Sequence, residues 1–220
     1  MLLFANSLTV PLMLAIILAA LIGMTVHEFA HNYVAHLMGD PVPEREGRLT
    51  LDPSVHIYWP GFFMFVLIGF GILGFAPIAA HRMRNPRWGY FAAVAAGPIS
   101  NLIVAIMAGM IIRIVPLSFW ADNLELYRAV SIFVLFNVFL FLFNLLPCFP
   151  LDGWHMTLTV LPSEQAHWWQ KHAMTSQYIF LGLILLSFAA SSFMLPQQFN
   201  LLGLLLGEIG GAITSMITGL

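Results

Sequence analysis

The stretch LTVPLMLAIILAALIGMTVHEFAHNYVAHL, residues 8–37, decides how the rest of the chain is read. Its first charged side chain, which is also the first of the whole sequence, is Glu28. The residues before it suffice to cross about 30 Å of hydrocarbon as a helix. No basic residue precedes the run, and no small-residue cleavage site of the A-x-A type follows it. It therefore reads as a retained transmembrane helix and not as a removable leader. Near its end, His27-Glu28-Phe29-Ala30-His31 has the spacing H-E-x-x-H. Residues four apart share a helix face, so both imidazoles can grip one metal ion. Glu28 can then reach a water beside the ion and take its proton during attack on a carbonyl. The competing reading is a helix end with polar residues at this spacing by coincidence. Ionisable groups at the centre of a spanning helix cost about 2.5–3.5 kcal/mol each, and that cost favours function.

Outward from this helix, composition says the same. Of 220 residues, 60% are hydrophobic and 8% charged, against about 25% charged in soluble domains. Most of the chain must be solvated by the lipid bilayer. The net charge of −2, without a basic or acidic tail, points to no nucleic-acid partner. Cys148 is the only cysteine, which excludes an internal disulfide and any multi-cysteine metal site.

Apolar runs fall near 8–37, 61–79, 90–115, 129–146, 178–195 and 201–220, separated by polar, Gly- and Pro-containing interruptions. The expectation is an all-α polytopic membrane protein forming a single domain over 1–220. A catalytic core would occupy about 8–160 and accessory C-terminal helices about 174–220. The core would hold three transmembrane helices, a re-entrant segment and a short β-hairpin involving 47–51. Run 61–79 is the ambiguous one, since Gly69, Gly71, Gly74 and Pro77 interrupt it.

A catalytic zinc usually takes three protein ligands and leaves a fourth position to water. Asp152, in NLLPCFPLDG (144–153), directly follows a run without charge from 129 to 151. Pro147 and Pro150 break the helix there and Gly153 permits a tight turn, so the carboxylate can be aimed inward. An Asp capping the next helix is the equal alternative.

Together, HEFAH, AGPISN at 96–101 and NLLPCFPLDG resemble the motifs of the site-2 protease family of intramembrane metalloproteases. GRLTLDP at 47–53, followed by His56, is similar to the polar stretch of its compact prokaryotic members, which lack a PDZ domain. The resemblance covers about 25–153. It implies that His27, His31 and Asp152 bind one Zn2+ per chain and that Glu28 is the general base. It also implies that Asn144 holds the substrate carbonyl or its oxyanion. The implied substrates are single-span membrane proteins, such as anti-sigma factors or leftover signal peptides. Members commonly have Gly-Gly-Arg where this chain has Gly153-Trp154-His155.

Depth supports the same picture. At 1.5 Å per residue, His27 and His31 lie about 24–30 Å along the first helix and Asn144 about 24 Å along the fourth run. The two motifs meet only if these helices are parallel, so 61–79 should not cross completely. That topology puts Arg45, Arg48, Arg82, Arg84, Arg87 and Lys171 on one side, with Arg113 and Arg128 on the other. By the positive-inside rule, the site would face the cytoplasmic side of a prokaryotic cytoplasmic membrane.

His56 and His155, each near a motif, are candidates for touching substrate, as is Asn101. For Asn101 the simpler reading is a hydrogen bond across a helix interface. Cys148 reads as an apolar filler, and the Phe-rich stretch 132–143 as lipid-facing or packed surface. Glu208 has no assigned role. The rival functions are a metal transporter or channel using the same ligands, and an inactive relative that only binds membrane proteins. A transporter needs exchangeable sites along the whole path, and the later helices hold no second His or acidic cluster.

Overall fold

The computed structural model describes residues 9–69, 71, 73–192, 196 and 200–219. Helix α1 spans Val10–Leu37 with Pro11 in its first turn, where the missing N–H has no helical partner to lose. It stops at Gly39, whose φ of 102° lies in the left-handed region. Short helices α2 (Val42–Arg45) and α3 (Pro53–His56) follow. Beyond them come α4 (Trp59–Ile68), α5 (Pro86–Ile114), α6 (Leu117–Asp122) and α7 (Leu124–Asn144). The chain closes with α8 (Asp152–Val160), α9 (Ser163–Lys171), α10 (Ala173–Ser192) and α11 (Leu201–Thr218). Five of these helices, α1, α5, α7, α10 and α11, are long and apolar enough to cross a membrane. This is an all-α polytopic membrane protein.

Helix α4 cannot cross. Its 10 residues rise only about 15 Å, half of a hydrocarbon core. It ends at Gly69, at φ 84°, and the chain comes back on itself. The Tyr58 N–H donates to the Leu73 carbonyl at 2.8 Å, and Ile57 pairs with Gly74 in a single antiparallel bridge. The expected re-entrant shape is present. The expected hairpin involving 47–51 is not: these residues form turns and bends, and no strand occurs among the described residues. The Ile57–Gly74 bridge takes the place of a ladder, because the returning chain pairs with the start of its own excursion.

Two side chains hold the returning arm. Asp40, fully buried just past α1, accepts from Val42 N at 3.0 Å and from Ala79 N at 2.6 Å. Arg48 donates to the Phe75 carbonyl at 3.2 Å and stacks its guanidinium 5.2 Å from the Phe75 ring. Asp40→Ala is expected to lower unfolding stability in detergent by about 1.5–3 kcal/mol, the range for hydrogen bonds to a charged group. Limited proteolysis should then cut between 69 and 79 faster than in wild type, with helix content unchanged by circular dichroism.

Helices α1, α5 and α7 pack together as the core. Asn101 reaches Gly23 while Ala93 meets His31, so α5 runs antiparallel to α1. A Cβ on Gly23 would touch Asn137 of α7, whereas Asp152, beyond the end of α7, lies against His27 and His31. Helix α7 therefore runs parallel to α1, as the depth argument requires. Small buried residues such as Ala20, Ala93 and Ala105 let the helices approach closely. Helix α11 packs on α7 and α5, α10 packs on α11, and Glu208 lies exposed on α11.

Candidate metal centre

His27 and His31 occupy the buried face of α1, one turn apart. Both rings are aimed from behind by α5. His27 Nδ1 lies 2.6 Å from Asn101 Oδ1, and His31 Nδ1 lies 2.8 Å from the Ala93 carbonyl. Both partners are acceptors, so each Nδ1 carries the proton and donates it. Each neutral ring then presents a lone pair at Nε2. A Cβ on Gly97 would fall 2.3 Å from His31 Nε2 and 2.8 Å from His27 Nε2. Glycine there leaves the space that the two rings use.

Asp152 completes the group. Its Oδ2 is 3.1 Å from His27 Nε2 and 3.3 Å from His31 Nε2, and the two Nε2 atoms are 3.0 Å apart. Three acceptors this close repel one another unless a cation lies among them. Oδ2 is buried, yet has no hydrogen-bond partner among the described residues. Zinc with ligands at about 2.0–2.1 Å in tetrahedral array spaces its donors about 3.3 Å apart. Two imidazoles and one carboxylate therefore fit that ion, with a fourth position to spare. The capping alternative fails, since Leu151 is the cap of α8 and makes no side-chain bond. A Cβ on Gly153 would fall 2.3 Å from the Leu145 carbonyl. Glycine lets the start of α8 press against the end of α7 and deliver the carboxylate.

Glu28 is buried beside these three side chains, and its Oε2 has no partner among the described residues. A Cβ on Gly74 would come 2.7 Å from Glu28 Oε1. The returning arm of the re-entrant segment thus passes directly over the carboxylate.

The other sequence candidates fall in different places. Asn144 is half-buried at the end of α7, and its Nδ2 donates to Leu140 O at 3.0 Å. Asn101 is fully buried behind His27, so the structure places it as a partner of that ring and not on a substrate-facing surface. His56 is buried too, with Nε2 2.6 Å from the Thr50 carbonyl, where it braces the polar loop. Burial pushes its pKa down, as it does for His155. His155 also lies near the group. It sits one turn beyond Asp152 with Nδ1 3.1 Å from Tyr90 Oη.

The sequence gives no site role to Tyr90 or Asn137, and none to Gly74 beyond interrupting its run. Asn137 carried a signal, as an amide inside the Phe-rich stretch 132–143. There the structure shows packed surface with Val134, Asn137, Val138 and Leu140 buried. Nothing local marks Gly74 among the glycines of its run.

The chain is 33% identical to YwhC, a candidate zinc metalloprotease of Bacillus subtilis (strain 168), over 156 residues. The match covers 69% of this chain and 71% of the relative. No protein-family model matches the chain, and no solved structure matches it.

Proposed function

The chain belongs to the site-2 protease family of intramembrane metalloproteases, and from that premise we propose that it is a zinc-dependent endopeptidase. It hydrolyses peptide bonds within or beside transmembrane segments of other membrane proteins. The observation that carries this reading is the convergence of His27, His31 and Asp152 next to the unpartnered carboxylate of Glu28.

His27, His31 and Asp152 would hold the ion. When bound, zinc supplies Lewis acidity that polarises the scissile carbonyl and acidifies the attacking water. Glu28 takes a proton from that water as its oxygen bonds to the carbonyl carbon. It then gives the proton to the departing amine nitrogen as the C–N bond breaks. Asn144, by rotating an amide N–H away from Leu140, donates to the oxyanion. His155 and Tyr90 line the side of Asp152 and would contact the extended substrate.

A substrate helix has its amides locked in hydrogen bonds and must unwind to be cut. The extended arm over Glu28 has to move aside for it. The excess of Arg and Lys on the loops around 45–87 and 171 favours a site toward the cytoplasmic side of a prokaryotic membrane.

The test uses full-length protein in detergent with a single-span model substrate. Wild type is expected to carry one zinc and to cleave. A chelator should abolish cleavage, and stoichiometric zinc should restore it. Cleavage that persists without metal would remove the metalloprotease reading. Zinc bound without cleavage of any substrate panel would favour a binding role, and zinc flux into liposomes a transport role.

A further inference from the structure

We propose that Asn137, which touches no metal ligand, is a positioning residue for the metal centre, because it fixes which way the Asn101 amide faces and so which nitrogen of His27 is free to ligate. The proposal rests on the zinc site described above and concerns how that site is set.

An imidazole with its proton on Nε2 cannot bind a metal through Nε2. His27 keeps the proton on Nδ1 only while an acceptor faces it, and that acceptor is Asn101 Oδ1 at 2.6 Å. An amide turned over would present Nδ2 instead and force the wrong tautomer. What prevents this lies on the far side of Asn101. Its Nδ2 donates to two acceptors, the Gly23 carbonyl at 3.0 Å and Asn137 Oδ1 at 3.1 Å. Turned over, Asn101 would set its own oxygen against both.

Asn137 faces the same choice and is fixed in turn. Its Nδ2 donates to the Phe133 carbonyl at 2.9 Å, and a carbonyl can only accept. The direction therefore passes from the backbone of α7, through Asn137 and Asn101, to the Nε2 lone pair of His27. Both asparagines are fully buried, so water does not compete for any of these bonds. Gly23 makes the crossing tight: a Cβ there would fall 2.9 Å from Asn137 Oδ1 and 3.5 Å from Asn101 Nδ2.

The experiment measures zinc affinity of the full-length protein in detergent by competition with a chromogenic chelator, for wild type and variants. Asn137→Leu is expected to bind zinc about tenfold more weakly and Asn101→Leu up to about a hundredfold, the range for outer-shell partners of a ligating histidine. Asn137→Asp should restore affinity, because a neutral carboxyl can donate its hydroxyl to Phe133 and accept from Asn101. The double variant should bind no more weakly than Asn101→Leu alone, since both lie on one line of bonds.

Three results would overturn the proposal: wild-type affinity in Asn137→Leu, no rescue by Asp, or losses that add in the double variant. If Asn137→Leu does not fold, Gly23→Ala carries the test by crowding the same atoms. A loss of affinity there supports the relay, and wild-type affinity overturns it. His27→Ala serves as the control for the site itself. If wild type binds no zinc, or His27→Ala binds it equally well, the zinc site falls and the relay with it. If the site stands and Asn137→Leu is unchanged, the relay alone falls.

Discussion

Glu28→Gln is expected to keep its zinc and to lower turnover of a single-span substrate by about 10²–10⁴-fold, the usual contribution of a general acid–base. The substitution preserves shape, and Glu28 is not one of the three converging ligand atoms. Its carboxylate is buried beside them and, among the described residues, lacks a partner at Oε2. An amide in its place can donate to the water but cannot remove its proton. The check is metal content and single-turnover cleavage measured on the same preparation. Loss of metal together with activity would mean that Glu28 shapes the site and does not serve it as a base. Undiminished turnover would move the base elsewhere.

The second large effect is expected from the smallest change. Gly97→Ala should weaken zinc binding by more than about a hundredfold, beyond what outer-shell substitutions cost. The added methyl would lie 2.3 Å and 2.8 Å from the two Nε2 atoms, so both rings would have to swing off their common point. Alanine suits a helix better than glycine, and α5 itself should remain folded. The measurement is zinc affinity beside helix content and thermal unfolding in detergent. A folded variant with wild-type affinity would show that α5 does not press on the ligand rings.

These predictions also show where the sequence could be read and where it could not. The first helix and its H-E-x-x-H spacing were legible because four-residue periodicity is local, and a charge within an apolar run stands out. Asp152 was legible as a carboxylate after an uncharged stretch. Its competition with a capping role needed the observed turn of α8. The parallel run of α1 and α7 followed from matching depths, since helix rise is fixed. The strand proposed for 47–51 failed because pairing depends on what the returning chain finds beside it. It found Ile57. Asn101 was readable as an interface amide, but its partner was not, since His27 lies 74 positions away in the chain. Gly74 looked like any other glycine in its run until the arm was seen to cross Glu28.

The order in which the ligands appear along the chain has a consequence for biosynthesis. His27 and His31 lie on α1, which leaves the ribosome well before α7, whereas Asp152 comes only after α7 is complete. At roughly 5–20 residues per second, the interval is on the order of ten seconds. A nascent chain thus sits in the bilayer with two imidazoles and the Glu28 carboxyl but no closed triad of donors. A metal ion that needs all three side chains can be held only once that core is assembled.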